Sequence, residues 1–251
     1  MKRRQYRNPP IEEAICELRF TPGPEAEFTA PARFYESIKS SYPGKPQYQQ
    51  FVAAGIQVPA QPMTAQVALR QEGVKTLFPS QDGRRLVGLG MNLLSIHELK
   101  PYSGWEDFRS RIEQAIRAYQ NAAAPIGVTR IAVRYINRVQ VEAAGANVAD
   151  YLIAAPRLPD ELPADLRGFI SRLESVYADQ PTQLAITIAP VEPSSPAACA
   201  WLLDIDVSHE WASEPLPLPS VMVRLDDLKQ RQREAFESLI TDRSREVFDA
   251  R

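Results

Sequence analysis

YRNPPIEEAICELRF, residues 6–20, sets the architecture of the chain because its apolar and polar side chains alternate from Glu13 onward. One face carries Ala14, Cys16, Leu18 and Phe20, and the other carries Glu13, Ile15, Glu17 and Arg19. A period of two predicts a β-strand with one buried face. Pro9 and Pro10 have no N–H to donate to a neighbouring strand, so the predicted strand begins at Ile11. Among its glutamates, Glu17 is the candidate for a functional role, as a secondary member of a site.

The composition is that of an ordinary globular protein and argues against several classes of function. The 251 residues carry a formal net charge of -2, which gives no overall field that would attract nucleic acid or an acidic membrane. The basic N-terminus is not followed by an apolar segment, so neither a signal peptide nor a membrane helix is predicted. Cys16 and Cys199 are too few for a disulfide framework, although a single pair stays open. We expect a cytoplasmic protein.

The remaining periodicities predict an α+β fold with a mainly antiparallel sheet. The first half reads as a strand, a short helix, four or five strands, and a long helix that follows a capping box formed by Ser103 and Glu106. The second half reads as a long strand at 127–141, a short helix, three strands and a last long helix. We therefore predict two similar β-α-β(n)-α halves, residues 1–124 and 125–251, that form one compact unit with the sheet packed against two long helices.

RIAVRYINR, residues 130–138, places Arg130, Arg134 and Arg138 on one face of a strand. Successive members of this row are about 13 Å apart at the rise of an extended chain. Such a row could follow the phosphate backbone of a nucleic acid, or it could form ion pairs with acidic residues on neighbouring strands. Asn137 is a polar residue on the apolar face, so it must form hydrogen bonds or lie at a bulge. Both a structural role and a ligand contact stay open for it.

LLDIDV, residues 202–207, places Asp204 and Asp206 about 7 Å apart on the polar face of another strand. Two carboxylates at this spacing could bind a divalent cation or divide acid and base roles. They could equally pair with the arginines. If the strands that begin near Glu13, Arg130 and Trp201 are neighbours, one polar face carries Glu17, Arg134, Asp204 and Asp206.

No familiar catalytic motif is present. The two histidines and two cysteines are not spaced as a zinc site, and Gly88-Leu-Gly90 lacks the third glycine of a dinucleotide loop. A Walker lysine and a nucleophile-elbow serine are also missing. We therefore predict no catalytic residue, no metal and no cofactor.

Several motifs are spread over nearly the whole chain. They are Asn8-Pro9-Pro10-Ile11 with Glu13-Ala14 and Cys16-Glu17, Pro101-Tyr102 with Trp105 and Phe108, RYINR at 134–138, LDID at 203–206, and Phe236-Glu237 with Ile240-Thr241-Asp242. This set resembles a sporadically distributed prokaryotic family of unknown function. The resemblance implies no activity or cofactor. The patchy distribution of the family implies an accessory gene, such as one of a defence, toxin–antitoxin or regulatory cassette.

Two function hypotheses follow. The first is a non-enzymatic interaction protein, antitoxin-like, regulatory or defence-associated, whose partner is another protein encoded nearby; the extended segment WASEPLPLPS would suit docking, and a homodimer is also open. The second is an α+β cup that binds or hydrolyses a nucleotide or other anion. Its site would comprise Glu17, Arg134, Asn137, Arg138, Asp204 and Asp206. A nucleic-acid partner is not expected at a pI of about 5.8.

Overall fold

The strand predicted from residues 6–20 lies at the centre of the sheet in a computed structural model of the chain. The structure describes residues 4–23, 29–57, 66–159, 161–162, 168–178 and 181–249, with the backbone alone at 50–57 and 66–74. The first part of the chain forms β1 (Ile11–Thr21), α1 (Ala30–Ile38), β2 (Gln47–Gln57), β3 (Gln66–Pro79), β4 (Arg85–Gly90), β5 (Leu93–Leu99) and α2 (Trp105–Ala123). The rest forms β6 (Gly127–Val141), β7 (Ser171–Val176), β8 (Thr182–Pro190), β9 (Cys199–Glu210), α3 (Val221–Leu239) and α4 (Asp242–Asp249), with 3-10 turns at Val148–Asp150 and Leu218–Ser220.

The nine strands of the described residues belong to one sheet, in the order β2-β3-β4-β5-β1-β6-β9-β8-β7. Each neighbouring pair is antiparallel. The α+β class and the antiparallel sheet are thus confirmed. Because β1 pairs with β6, and β6 with β9, the three polar strand faces predicted from the sequence become neighbours in one sheet.

The apolar face of the sheet carries the core. The side chains of Cys16 and Leu18 on β1 are buried together with apolar residues of α2 and α3. The helical members with no exposed surface are Phe108 and Ile112 on α2, and Val221, Leu225 and Leu228 on α3. Burial of the whole apolar core supplies most of the stabilisation of the fold, at about 25 cal/mol for each Å² of apolar surface. The alternation of β1 therefore leaves its polar residues on the opposite face.

The start of α2 corrects one prediction. Its N-cap is Gly104, in a positive-φ conformation, and no side chain caps the helix. The hydroxyl of Ser103 lies 2.7 Å from Oε1 of Glu98 and 2.6 Å from Oδ2 of Asp107. The predicted capping box is wrong. The hydroxyl of Ser103, which was expected to cap the helix, lies instead within hydrogen-bond distance of the buried carboxylate of Glu98.

Candidate functional site

A polar cavity of about 510 Å³ lies on the face of the sheet opposite α2 and α3, which we call the open face. Among the described residues, its lining comes from strands alone, namely β1, β2, β3, β5, β6 and β9. Its charged members are Glu13, Glu17, Arg19, Lys75, Arg130, Arg134, Asp206 and Glu210, and His97 lies among them. A site of this kind depends on the register of six strands, so it exists only in the folded sheet.

Arg134 on β6 is held by Asp204 on β9. Its Nε donates to Oδ1 at 2.8 Å and its Nη2 donates to Oδ2 at 2.6 Å, which is a side-on pair with two hydrogen bonds. The Asp204 side chain is only 8% exposed, whereas that of Arg134 is 43% exposed. The hydrogen bonds to Asp204 raise the pKa of Arg134 against the opposing effect of burial. Asp204 therefore orients a guanidinium whose remaining edge is open to the cavity.

Glu17 lies between two arginines on the same face. Nη1 of Arg130 donates to its Oε1 at 3.0 Å, and Nε of Arg19 lies 3.5 Å from the same oxygen. Arg19 and Arg130 are directly opposite each other in the register of β1 and β6. Like charges in that position repel, so the carboxylate of Glu17 offsets a cost built into the pairing.

Asp206 is a buried carboxylate of the cavity whose hydrogen bonding is incomplete. Its Oδ1 is buried and has no hydrogen-bond partner within the described part of the chain, and its Oδ2 lies 3.9 Å from Nη2 of Arg130. Burial raises the pKa of Asp206, although the charges of Arg130 and Arg134 act in the opposite direction. An acceptor in this state favours a ligand that brings a hydrogen-bond donor.

His97 on β5 connects three side chains at the other end of the cavity, those of Glu13, Ser95 and Lys75. Its Nδ1 lies 2.7 Å from Oε1 of Glu13, and its Nε2 lies 2.9 Å from the hydroxyl of Ser95 and 3.4 Å from Nζ of Lys75. Burial is the main cause that lowers the pKa of His97, and it also lowers the pKa of Lys75. A neutral imidazole with its proton on Nδ1 satisfies this geometry, since Nδ1 then donates to Glu13 and Nε2 accepts.

The order Glu13, His97, Ser95 matches the acid–base–nucleophile order of a hydrolase, but Ser95 has no exposed surface. A substrate carbonyl cannot reach its hydroxyl without a rearrangement of the sheet. Gly88 on β4 explains how Ser95 fits, because a Cβ at position 88 would lie 2.3 Å from its Oγ. The chain of hydrogen bonds therefore orders His97 and Lys75 at the cavity wall and does not expose a nucleophile.

Four of the six residues proposed from the sequence meet on the open face. Glu17, Arg134 and Asp206 line the cavity, and Asp204 orients Arg134. Arg138 lies beyond the cavity, where it contacts Gln140 and the backbone oxygen of Glu192.

Asn137 lies on the helix-covered face. Its Nδ2 donates to the backbone oxygens of Tyr135 and Leu203, and it faces a β-bulge in β1. It lines a separate cavity of about 310 Å³ beside Tyr102, Trp105 and Lys229. The structure therefore separates Asn137 from the arginine and aspartate residues.

Sequence reasoning missed Glu13, Lys75, His97 and Arg130 as members of the cavity. The alternation of β1 and β6 could have added Glu13 and Arg130, since both share the polar face of a residue that was chosen. No local signal marks Lys75 or His97, because only the pairing of β3, β4 and β5 brings them beside β1.

Further observations limit what the chain resembles. Within the described residues, no three His, Cys, Asp or Glu side chains are grouped as metal ligands. No helix in that part of the chain has both the length and the apolar character needed to cross a membrane. Neither a protein-family model nor a curated protein sequence matches the chain.

Proposed function

We propose that the chain binds a small anionic ligand in the open-face cavity, with nucleotides as the first class to test. The observation that carries this proposal is the side-on pair of Arg134 with Asp204. A guanidinium held in place by a buried carboxylate loses little further entropy when it binds phosphate or carboxylate oxygens. Arg134 would thus act as the anion anchor.

The mixed charge of the cavity suggests what else the ligand carries. Acidic groups of Glu13, Glu17 and Asp206 lie on the same lining as Arg134 and Lys75. They can accept hydrogen bonds from amino or hydroxyl groups. A ligand that combines an anionic group with such donors, as nucleotides do, satisfies both sets. The volume of about 510 Å³ falls in the usual range of small-molecule sites.

We propose binding rather than hydrolysis as the primary role, because the one serine within hydrogen-bond distance of His97 is fully buried. The test is isothermal titration of the purified chain with a panel of nucleotides and with inorganic phosphate. Saturable binding of at least one nucleotide, abolished or weakened by Arg134→Ala, supports the proposal. A chain that binds no member of the panel contradicts the nucleotide assignment.

A protein-interaction role in an accessory prokaryotic system is the second candidate. The proline-rich segment WASEPLPLPS supports this role less than its sequence suggests, because it forms hydrogen bonds with β6 of the same chain. Leu216 exchanges backbone hydrogen bonds of 3.0 and 2.8 Å with Val128, and the N–H of Trp211 donates to the backbone oxygen of Thr129. The exposed strand β7 at the edge of the sheet supports the role instead.

The predictions about the two halves of the chain and about its cellular location are also proposals. We infer two related halves, 1–124 and 125–251, each completed by one long helix, and a cytoplasmic location with a protein encoded nearby as partner. Both halves contribute strands to the cavity, with β1 and β5 from one and β6 and β9 from the other. If the halves depend on each other, separate expression of either half gives an unfolded or aggregated product, as measured by circular dichroism.

A further inference from the structure

Strand β7 ends the sheet, and its outer edge, the free edge, pairs with no strand in the described part of the chain. It pairs with β8, and no other described strand lies beside it. Five of its six residues are exposed. Ile170, Leu173 and Val176 are 81%, 49% and 63% exposed, so apolar side chains border unpaired backbone groups. Natural proteins usually protect such an edge, because it is a template for pairing with another strand.

The backbone groups that face outward can be identified from the register. Ser171 is opposite Ile188 and Val176 is opposite Gln183, and the N–H of Tyr177 donates to the oxygen of Thr182 at 2.9 Å. Hydrogen-bonded pairs alternate along an antiparallel ladder. Odd-numbered residues therefore bond to β8, and Arg172, Glu174 and Val176 direct their N–H and C=O groups to the free edge.

We propose that this edge pairs with β7 of a second copy of the chain, antiparallel, about a twofold axis at Leu173. In that register Arg172 of one copy is opposite Glu174 of the other, and the reverse holds by symmetry. Ile170 is then opposite Val176, and Leu173 is opposite itself. Cross-strand pairs of opposite charge and of apolar residues stabilise a ladder.

The neighbouring registers are unfavourable. Residues whose backbone groups face the free edge must lie opposite residues of the same kind in the second copy. The twofold axis can therefore move along the strand only in steps of one residue. An axis at Arg172 places two arginines opposite each other, and an axis at Glu174 places two glutamates opposite each other; both arrangements repel. The edge is therefore self-complementary in charge in one register. The twofold axis joins the two sheets edge to edge and leaves both open-face cavities on the same side.

Charge-swap variants test this pairing. Sedimentation equilibrium of the full chain should show a dimer, and either Arg172→Glu or Glu174→Arg should raise its dissociation constant about tenfold or more, because like charges then face each other at two positions. A mixture of the two single variants should dimerise again, since each supplies the charge that the other lacks. Lys39→Glu, at the exposed residue that follows α1, is a control that should leave the dissociation constant unchanged.

A cysteine variant tests the register. Leu173→Cys, in a Cys199→Ser background, should form an intermolecular disulfide under mild oxidation, since non-hydrogen-bonded pairs hold Cβ atoms about 4.5–5.5 Å apart. Ser171→Cys should not, because its symmetry mate lies four residues along the ladder. Circular dichroism checks that each variant is folded. A chain that stays monomeric at all concentrations, or a dimer that is indifferent to both single swaps, overturns the proposal.

Discussion

Asp204 and Asp206 lie one pleat apart on β9, yet they differ in their hydrogen-bond partners. Asp204 accepts two hydrogen bonds from Arg134, of 2.8 and 2.6 Å. Asp206 has one buried oxygen without a partner among the described residues, and its pKa is raised by burial. Asp204 is thus hydrogen-bonded to a cation within the fold, whereas Asp206 is buried in surroundings that favour its neutral form.

Neutralising the two aspartates should therefore change stability in opposite directions. Asp204→Asn should lower the free energy of unfolding by about 1–3 kcal/mol, because it leaves Arg134 without its counter-charge. Asp206→Asn should raise the melting temperature by about 2 °C at neutral pH, because the folded state no longer holds an ionised group whose neutral form it prefers. Urea unfolding and thermal melts measure both effects. Equal destabilisation by both variants would contradict this account of the site.

The ion pair of Arg111 with Glu98 should be a major anchor of α2. Nη2 of Arg111 lies 2.6 Å from Oε2 of Glu98, whose side chain is 3% exposed. Arg111→Ala should cost about 3–5 kcal/mol, because it leaves a buried carboxylate without its counter-charge. Urea unfolding measures the loss. Arg117→Ala on the same helix removes an exposed ion pair with Glu113, so its effect should stay below about 1 kcal/mol. Similar losses for the two variants would contradict the anchoring role.

Gly88 and Ser95 should behave as a coupled pair. Gly88→Ala should destabilise the fold by about 1–3 kcal/mol, because the new methyl group overlaps the hydroxyl of Ser95. Removing that hydroxyl as well, in Gly88→Ala/Ser95→Ala, should cost less than the sum of the two single changes. A double-mutant cycle by urea unfolding measures the coupling. Strict additivity would show that the hydroxyl of Ser95 is not what excludes a side chain at position 88.

Mild acid should destabilise the protein through its histidines. The pKa of His97 is lowered from 6.5, so the unfolded chain takes up a proton at a higher pH than the folded one. Stability is therefore complete above about pH 6.5 and falls as the pH drops through that value, by up to about 1.4 kcal/mol per pH unit for each histidine. The pKa of His209 is also lowered, so its contribution has the same sign.

His97→Gln should reduce this pH dependence without abolishing it. Unfolding free energies between about pH 7.5 and 5.5 give the slope for each protein. Asp206 acts with the opposite sign, because its raised pKa makes protonation favour the folded state. An unchanged slope in the variant would show that His97 does not titrate between the folded and unfolded states.

Local alternation predicted the parts of the site that lie on β1, β6 and β9. Parity along each strand is enough to place Glu17, Arg134 and Asp206 on a polar face, provided that the three strands are neighbours. Parity also placed Asn137 on the apolar face, where it forms hydrogen bonds at a bulge as expected. The alternation of side chains gives the face of the sheet on which a residue lies but not its position along the strand. Arg138 shares the face of Arg134 but lies about 13 Å further along, outside the cavity.

The rest of the cavity depends on contacts that are distant in sequence. Six of the seven residues of β5 are buried, so LLSIHEL shows no alternation that would mark His97. Lys75 reaches His97 only because β4 and β5 set the register of β3. The capping box was wrong for a similar reason, since the partner of Ser103 is the buried Glu98 on β5. These features require the sheet order, which a single sequence did not supply.

A titration of a nucleotide into three proteins tests whether Arg134 anchors an anion. The first is the unaltered chain, the second is Arg134→Ala, and the third is Arg138→Ala, a matched control from the same face of β6 outside the cavity. We predict that Arg134→Ala weakens binding about 10–100-fold, the value of a charge-assisted hydrogen bond, and that Arg138→Ala leaves it unchanged. Equal affinities for all three proteins would contradict the claim.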